Sequence, residues 1–375
     1  MTRSWAHRYA DLSAHPVQVL TALTVLGTTT VCASDLAAAL DVPVADVEAA
    51  VALLQQAGWF EEQAAGADPR LREAARIWLT YDAPERPDAP TAAAIAGRFL
   101  AYVGAGLDPG RHEPDDIVEW ARRHADGIVR AIRAGVRAGL HAAATAVAAS
   151  AWRVADRVAN PAWWHQLARH GEDAATRAGD TVALIGLLTS SADVYADAGD
   201  MPAAEIQRVR ACRLAFEIAD HDRIVAALTG LIELYRRWKR PEGALDTLQE
   251  LGDTQHRAGN PVGEAAALAE IGEIMLAADR PNRAEAYFSR ADEILNEQPA
   301  NIVSPRRHAR ILEQWGRAQW RLGHRIVARK CFQRALDLLT DVDAAAAARV
   351  QALIDTRTDA DTLPGEEPGA DSETG

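Results

Sequence analysis

Lysine is almost absent. Only Lys239 and Lys330 occur in 375 residues, beside many arginines, a bias typical of a GC-rich genome such as an actinobacterium's. A phosphate-binding loop needs a lysine after glycine to reach the phosphates. Lys239 follows Trp238 and Lys330 follows Arg329, so neither completes such a motif and no nucleotide switch of that kind is expected. Cysteine is scarce too. Cys32, Cys212 and Cys331 are odd in number and far apart, which argues against a disulfide framework and fits a reduced cytoplasm. There is no G-x-S-x-G, hence no nucleophile elbow, and neither H-E-x-x-H nor a paired C-x-x-C, hence no strong metal signature. The 11 histidines are dispersed. His165 and His170 come nearest to a cluster, but their spacing along a helix is poor for shared ligation. No catalytic residue, metal or cofactor is expected. No apolar stretch reaches the ~18 residues of a membrane span.

The net charge of −13 argues against a general nucleic-acid binder held by phosphate contacts. An apolar content of 49% is ample for a core, and the length suits two or three units. Helix formers dominate, alanine is abundant and long β-branched runs are rare, so the fold class is all-α. Near the start, Arg3 and Arg8 precede a fairly apolar run, 17–31, and then Cys32-Ala33-Ser34, an outline that resembles a signal peptide. Gln18, Thr21, Thr24 and Thr28 to Thr30 interrupt the run, and His15-Pro16 makes a helix start. An ordinary amphipathic helix opening a domain is therefore expected.

The chain is organised around residues 180–341, which repeat about every 40 residues. Tyr195 and Tyr235 recur in register, as do Gly199 and Gly323, and Ala204, Ala244, Ala284 and Ala328. Phe288 and Phe332 follow, then Ala211, Ala291 and Ala335. Each unit reads as two helices joined by a turn: Gly199-Asp200-Met201-Pro202, Lys239-Arg240-Pro241-Glu242, and Arg280-Pro281-Asn282. Proline is tolerated in the first turn of a helix and ends the helix before it. The small alanine after the turn lets the paired helices approach. The aromatic side chain is expected to fill the space between one hairpin and the next. One hairpin cannot bury both faces, so several must stack.

This order of glycine, alanine, aromatic and alanine resembles the tetratricopeptide repeat in a longer form of about 40 residues. Gly316, Gly323, Ala328, Phe332 and Ala335 match best, then Gly272, Ala284, Phe288 and Ala291. Arg208 and Leu248 stand where the phenylalanine belongs, and Asp279 and Lys239 replace the turn glycine. The resemblance implies a right-handed α-solenoid of tetratricopeptide-like helical hairpins over 180–354, with Val350 and Leu353 packing back as a cap. Residues 344–348 are expected to extend the last helix. Trp163 and Trp164, with Trp152, fall one period before the first clear repeat and read as packing of a degenerate hairpin.

Residues 1–82 form a separate pattern. A short helix over 34–40 is followed by the turn Asp41-Val42-Pro43 and a longer helix over 44–57, with Val47, Val51 and Leu54 on one face. Gly58 stops it and Trp59-Phe60 begins an extended piece. Helix, tight turn, helix, then a wing is the order of a winged helix-turn-helix, which LAAALDVPVADVEAAVALLQQAGWF resembles. The second helix carries no Arg or Lys. It opens on Asp46 and Glu48 where base contacts would be made, with Gln55 and Gln56 at the far end. A structural adaptor is favoured over a site-specific DNA binder.

Three prolines in residues 83–90 predict an extended, poorly packed linker. A helix over 91–104, a Gly/Pro-rich loop over 104–114 and one long helix over 115–138 follow, within a connector and degenerate first hairpins spanning 91–179. Residues 117–140 (IVEWARRHADGIVRAIRAGVRAGL) resemble the segment joining winged helix to repeats in actinobacterial signal-transduction ATPases of the antibiotic-regulator type. Trp120 matches that family's tryptophan, but His124, Ala125 and Gly127 replace its Glu-Arg-x-Asn. The resemblance implies a sensor-and-scaffold half without its nucleotide-binding motor. Residues 355–375, with seven acidic side chains against Arg357, read as a disordered acidic tail that could reach back to block an arginine face.

In such arrays the first helix of each pair lines the concave side, a property carried over from the family. Projecting the register places Asp193, Asp197, Glu233, Arg236, Arg237, Glu273, Arg310, Glu313, Arg317, Trp320 and Arg321 there. The last group, arginines and a tryptophan on one helical face, suits an acidic peptide or a carboxylate terminus through bidentate pairs and stacking. Two functions follow. One is a non-enzymatic, cytoplasmic scaffold or sensor binding a peptide or partner protein in a regulatory pathway. The alternative is a transcriptional regulator touching DNA through the winged helix, with the repeats sensing a signal.

Overall fold

The computed structural model describes residues 4–28, 30, 32–61, 69–83, 87–299 and 301–359, and of 357–359 only the backbone. The regular structure among the described residues is helical apart from two single-residue antiparallel bridges, Thr30 with Arg70 and Phe60 with Leu71. The chain divides into two compact units, Met1–Ile218 and Ala219–Gly375.

The first unit opens with α1 (Trp5–Ala10), α2 (Ala14–Leu26), α3 (Ala33–Leu40), α4 (Val44–Gln56) and α5 (Glu73–Tyr81). α2, α3 and α4 pack on one another. Asp41 turns the chain between α3 and α4 at φ 59°. The extended piece expected at Trp59-Phe60 is present, since Arg72 N–H donates to the Trp59 carbonyl at 3.0 Å beside the Phe60 bridge. Trp59 is fully buried among the rings of Trp5, Tyr9 and Trp78. Arg8 closes the end of α4 by donating to the Ala57 and Gly58 carbonyls.

The unit continues with α6 (Ala89–Gly106), α7 (Pro114–Arg123), α8 (Ala125–Arg137), α9 (His141–Trp152), α10 (Ala155–Val158), α11 (Pro161–Ala178), α12 (Thr181–Asp197) and α13 (Met201–Glu217). α6 starts two residues before its expected beginning, because Asp88 caps it through the Thr91 N–H and Pro90 fits its first turn. Part of the proline-rich linker, 84–86, lies outside the described residues. The single helix expected over 115–138 is broken in two at His124. The His124 ring stacks on Trp120 at 4.2 Å, and its Nδ1 lies 2.9 Å from the Trp120 carbonyl, at φ −107° and ψ 18°. The ring folds back over the preceding turn at the residue where the helix is interrupted. α8 ties back to the first helices: Arg130 pairs with the buried Asp35 of α3 at 2.9 Å.

The second unit comprises α14 (His221–Arg237), α15 (Pro241–Arg257), α16 (Pro261–Ala277), α17 (Pro281–Asn296), α18 (Pro305–Arg321), α19 (Arg325–Leu339) and α20 (Ala344–Asp359). Each helix packs on the next in sequence order, giving the hairpins α14/α15, α16/α17 and α18/α19. The residue preceding each turn takes a left-handed conformation, at Lys239 (φ 57°), Asp279 (φ 56°) and Gly323 (φ 80°). Lys239 and Asp279 hold it without glycine at a cost of about 1 kcal/mol each. The closing bonds survive: Arg240 N–H reaches the Tyr235 carbonyl and Arg280 N–H the Met275 carbonyl, both at 2.9 Å.

In the second unit Phe288, Phe332 and Tyr235 each meet a glycine of their own hairpin, whereas Tyr195 in the first unit packs against Trp152 and Trp164 of preceding helices, as expected for a ring between neighbours. A Cβ on Gly272 would stand 2.8 Å from the Phe288 ring, one on Gly316 2.6 Å from Phe332, and one on Gly243 2.8 Å from Tyr235. Phe288 and Phe332 are fully buried. The ring needs the bare backbone opposite it, which is why glycine and aromatic recur together. Where Leu248 replaces the phenylalanine, Ile232 replaces the glycine, and both share one buried core. Volume moves from one helix to the other and the gap stays filled. In the first unit Arg208 takes the ring's place opposite the buried Ala192, and pairs with Asp193.

Residues 344–348 do not extend α19. That helix ends at Leu339, and α20 begins separately after a turn capped by Asp343 onto the Ala346 N–H. Val350 is fully buried in the core formed by α18 and α19, and Leu353 packs against it. The backbone stays helical through Asp359, past the expected start of the tail, and 360–375 lie outside the described residues.

On a free helix, Gly→Ala stabilises by up to ~1 kcal/mol. At Gly316 the Phe332 ring must give way, and overpacking costs ~1–3 kcal/mol. Gly316→Ala is expected to lower the midpoint of chemical unfolding, and Phe332→Leu added to it should cost less than Phe332→Leu alone.

Candidate interaction surface

The first helix of each hairpin in the second unit is joined to the first helix of the next by an ion pair. Arg236 on α14 pairs with Glu270 on α16. Glu273 on α16 receives both Nε and Nη2 of Arg310 on α18, at 3.1 and 3.0 Å. Glu313 on α18 takes Arg349 of α20 at 3.0 Å. α20 therefore occupies the position of a further first helix. Of the residues expected on one face, Arg236, Glu273, Arg310 and Glu313 lie along these steps, each engaged in holding adjacent helices.

Glu313 is only 4% exposed and also receives Arg317 at 2.7 Å, so it supports the surface from beneath. Arg321 donates to the Leu276 carbonyl at 2.7 Å, in the last turn of α16, where a cation is favoured. Between α16 and α18 a cleft of about 290 Å³ is lined by Glu273, Leu276, Ala277, Gln314, Arg317, Trp320 and Arg321. Trp320 is partly exposed, and the Arg325 guanidinium stands 5.7 Å from its ring centroid. The Arg317 Nε is shielded from solvent and lacks a hydrogen-bond partner.

Glu233, Arg236 and Arg237 stand exposed one step earlier, on α14. Asp193 belongs to the first unit, where its partner is Arg208 of the same hairpin. Asp197 lies on the same helix as Asp193. In α4 the exposed face presents Val44, Asp46, Glu48, Leu53, Gln55 and Gln56, with no cation.

A cluster that the sequence did not announce joins α17, α18 and α19. Asp292 of α17 meets His308 Nε2 of α18 at 2.6 Å and takes two bonds from Arg334 of α19, at 2.8 and 2.9 Å. Burial opposes its charge. The bonds from His308 and Arg334, with the guanidinium's charge, outweigh that and hold the carboxyl below its usual range. Glu270 and Arg349 were also missed. Glu270 lies one helical turn from Glu273, but the sequence does not reveal that Arg349 stands on a helix in first-helix position.

Two thiols are buried, and burial pushes Cys212 and Cys331 up to about 11 each, so both are protonated at neutral pH. His165 lies 3.2 Å from the Tyr195 hydroxyl, whose ring neighbours are Trp152 and Trp164. Among the described residues no group of three His, Cys, Asp or Glu is placed to hold a metal, and no helix is long and apolar enough to cross a membrane.

The depressed Asp292 pKa gives a signed expectation. Its contribution to stability is complete above the unfolded-state value of ~3.9 and is lost as pH falls through the lower folded value. Asp292→Asn should destabilise by about 3 kcal/mol at neutral pH, since one partner of a buried pair is removed. Unfolding measured from pH 5 down to pH 2 should show the difference from wild type narrowing.

No protein-family model matches the sequence, and no curated protein matches it. Among solved structures the chain is similar to BtubC (BKLC) from P. vanneervenii, with 16% identity, 75% of this chain and 98% of that chain covered, and a TM-score of 0.39. It is similar to aspartyl phosphate phosphatase F from Bacillus subtilis, with 12% identity, 96% and 83% covered, and a TM-score of 0.42. It is also similar to a signal-transduction ATPase with numerous domains and a tetratricopeptide-repeat sensor from Pyrococcus horikoshii, with 12% identity and a TM-score of 0.38. There 92% of this chain and 54% of that chain are covered, so the match spans about half of that protein. At these identities and TM-scores, none of the likenesses carries a family or an activity over to this chain.

Proposed function

We propose that the chain is a non-enzymatic scaffold of tetratricopeptide-like hairpins that takes a peptide or partner protein on its first-helix face, within a regulatory pathway of the cytoplasm. The observation that carries this is the cleft between α16 and α18, lined by the part-exposed guanidiniums of Arg317 and Arg321 and by a partly exposed tryptophan. A carboxylate from a partner, as a side chain or a free C-terminus, would be met by the exposed edges of those guanidiniums. The Arg310–Glu273 pair at the rim does not close the cleft to such a group. With side chains 68% and 30% exposed, it is worth no more than ~1 kcal/mol and can be exchanged for a ligand's carboxylate.

The N-terminal helices fit a winged-helix-like adaptor. Three packed helices and two antiparallel bridges support that form, and the cation-free outer face of α4 supports contact with protein over contact with DNA.

A peptide library with free C-termini tests the proposal. Binders are expected to be enriched in acidic residues, and Arg317→Gln with Arg321→Gln should weaken them at least ~10-fold, each bond to a charged group being worth ~1.5–3 kcal/mol. Arg349 still pairs Glu313 in that variant, so the buried carboxylate is not orphaned. Equal affinity of wild type and variant for every binder would contradict the proposal.

A further inference from the structure

The first unit carries a second recess, lined by α2, α5, α6 and α8. One part, of about 250 Å³, is mostly apolar: Val25, Leu79, Pro87, Ala92, Ala134 and Ala138 line it, with Thr24 and Arg137. The other, of about 260 Å³, is polar and includes Arg76, Arg133 and Arg137. Thr24, Leu79, Thr80 and Arg137 border both, so the two are contiguous. Together they come into the ~300–1,000 Å³ range of small-molecule sites.

The arginines on and around this recess differ in how they are paired. Arg130, one turn before, is neutralised by Asp35; Arg208 and Arg210 are neutralised by Asp193 and Glu172; Arg76 is held by Glu73. Arg133 and Arg137, four apart on α8, have no carboxylate within ion-pair distance among the described residues. Arg137 donates only to a backbone carbonyl, that of Val25, at 2.5 Å. Its surroundings and the neighbouring Arg133 both disfavour its charge, although its tip reaches solvent. The positive field reaches α11, where burial, then Arg133 and Arg169, hold His170 below the usual histidine range. Two like charges at this spacing repel only weakly in water, by about 0.2–0.5 kcal/mol, and together they leave a local positive patch in a chain of net charge −13.

The guanidinium of Arg137 lies against the left-handed cap of α2. Gly27 at φ 64° closes α2, and a Cβ there would lie 2.7 Å from Arg137 Nη1. A bare backbone at that point leaves room for the planar group. The hydroxyls nearby are already committed, Thr24 to the Leu20 carbonyl and Thr80 to the Arg76 carbonyl, so recognition falls to the arginines.

We propose that this recess binds a small amphipathic anion, its acidic head between Arg133 and Arg137 and its apolar body against Val25, Leu79, Ala92, Ala134 and Ala138. The site is separate from the first-helix surface of the second unit, and stands or falls independently of it. An acidic head is required because two guanidiniums repel each other and present only donors. An apolar body is required because a purely polar anion would leave the adjoining recess empty.

Isothermal titration of the full chain with octanoate, octyl phosphate and octanol tests this. Saturable binding of octanoate or octyl phosphate is expected, and whichever binds more tightly identifies the head group as carboxylate or phosphate. Arg133→Gln, an exposed position where folding is not at stake, should weaken that binding about tenfold or more. Absence of binding by both anions, octanol binding as tightly as they do, or equal affinity of Arg133→Gln and wild type would overturn the proposal.

Discussion

The close approach of a phenylalanine ring to a glycine backbone within one hairpin is the contact on which the second unit depends. Gly316 faces Phe332 and Gly272 faces Phe288, each at a distance that no side chain on the glycine would tolerate. Fully burying a ring contributes several kcal/mol, as the cost of removing one shows, and it does so here only because the facing helix has no Cβ there. The pair fixes both the spacing and the rotation of the two helices. Rotation matters for function, because it decides which side chains of the first helix face outward. Where the pattern changes, the constraint survives in another form: Ile232 and Leu248 divide the same space differently.

Once that rotation is set, the first helices present their charges to one another. Arg236 meets Glu270, Glu273 meets Arg310, and Glu313 meets Arg349. These contacts are graded by burial. Glu313 is nearly inaccessible and two cations hold it, so it is structural. Arg310 is exposed and its pair is weak, so it can change partner. The same face thus contains fixed and exchangeable pairs, which is what a binding surface on a rigid support requires.

The hairpins, their turns and their buried alanines were legible in the sequence because each depends on a residue type at a fixed interval. Pro241, Pro281 and Phe332 mark their positions by chemistry alone. The break at His124 was not legible, since it depends on the imidazole folding back onto Trp120 within an otherwise continuous helical pattern. Nor was the separation of α19 from α20, where alanines favour helix on both sides and only Asp343 signals a new start. On the candidate surface, the register put Arg317, Trp320 and Arg321 on one helical face, and the cleft they line came only with the structure. Arg321 reaches a carbonyl 45 residues away, and Glu313 beneath Arg317 is held by Arg349 36 residues on, contacts that a one-dimensional register does not supply. Asp292, His308 and Arg334 come from three different helices, and nothing local ties them together.

The most direct test of the account is the proton chemical shift of the Gly272 and Gly316 α-hydrogens, read with glycine-selective labelling. With the Phe288 and Phe332 rings where they stand, those hydrogens should be displaced far from random-coil positions by ring currents, and Phe332→Leu should return Gly316 alone toward the ordinary range. Ordinary shifts for both glycines in the wild-type chain, unaffected by Phe332→Leu, would contradict the packing from which the rest follows.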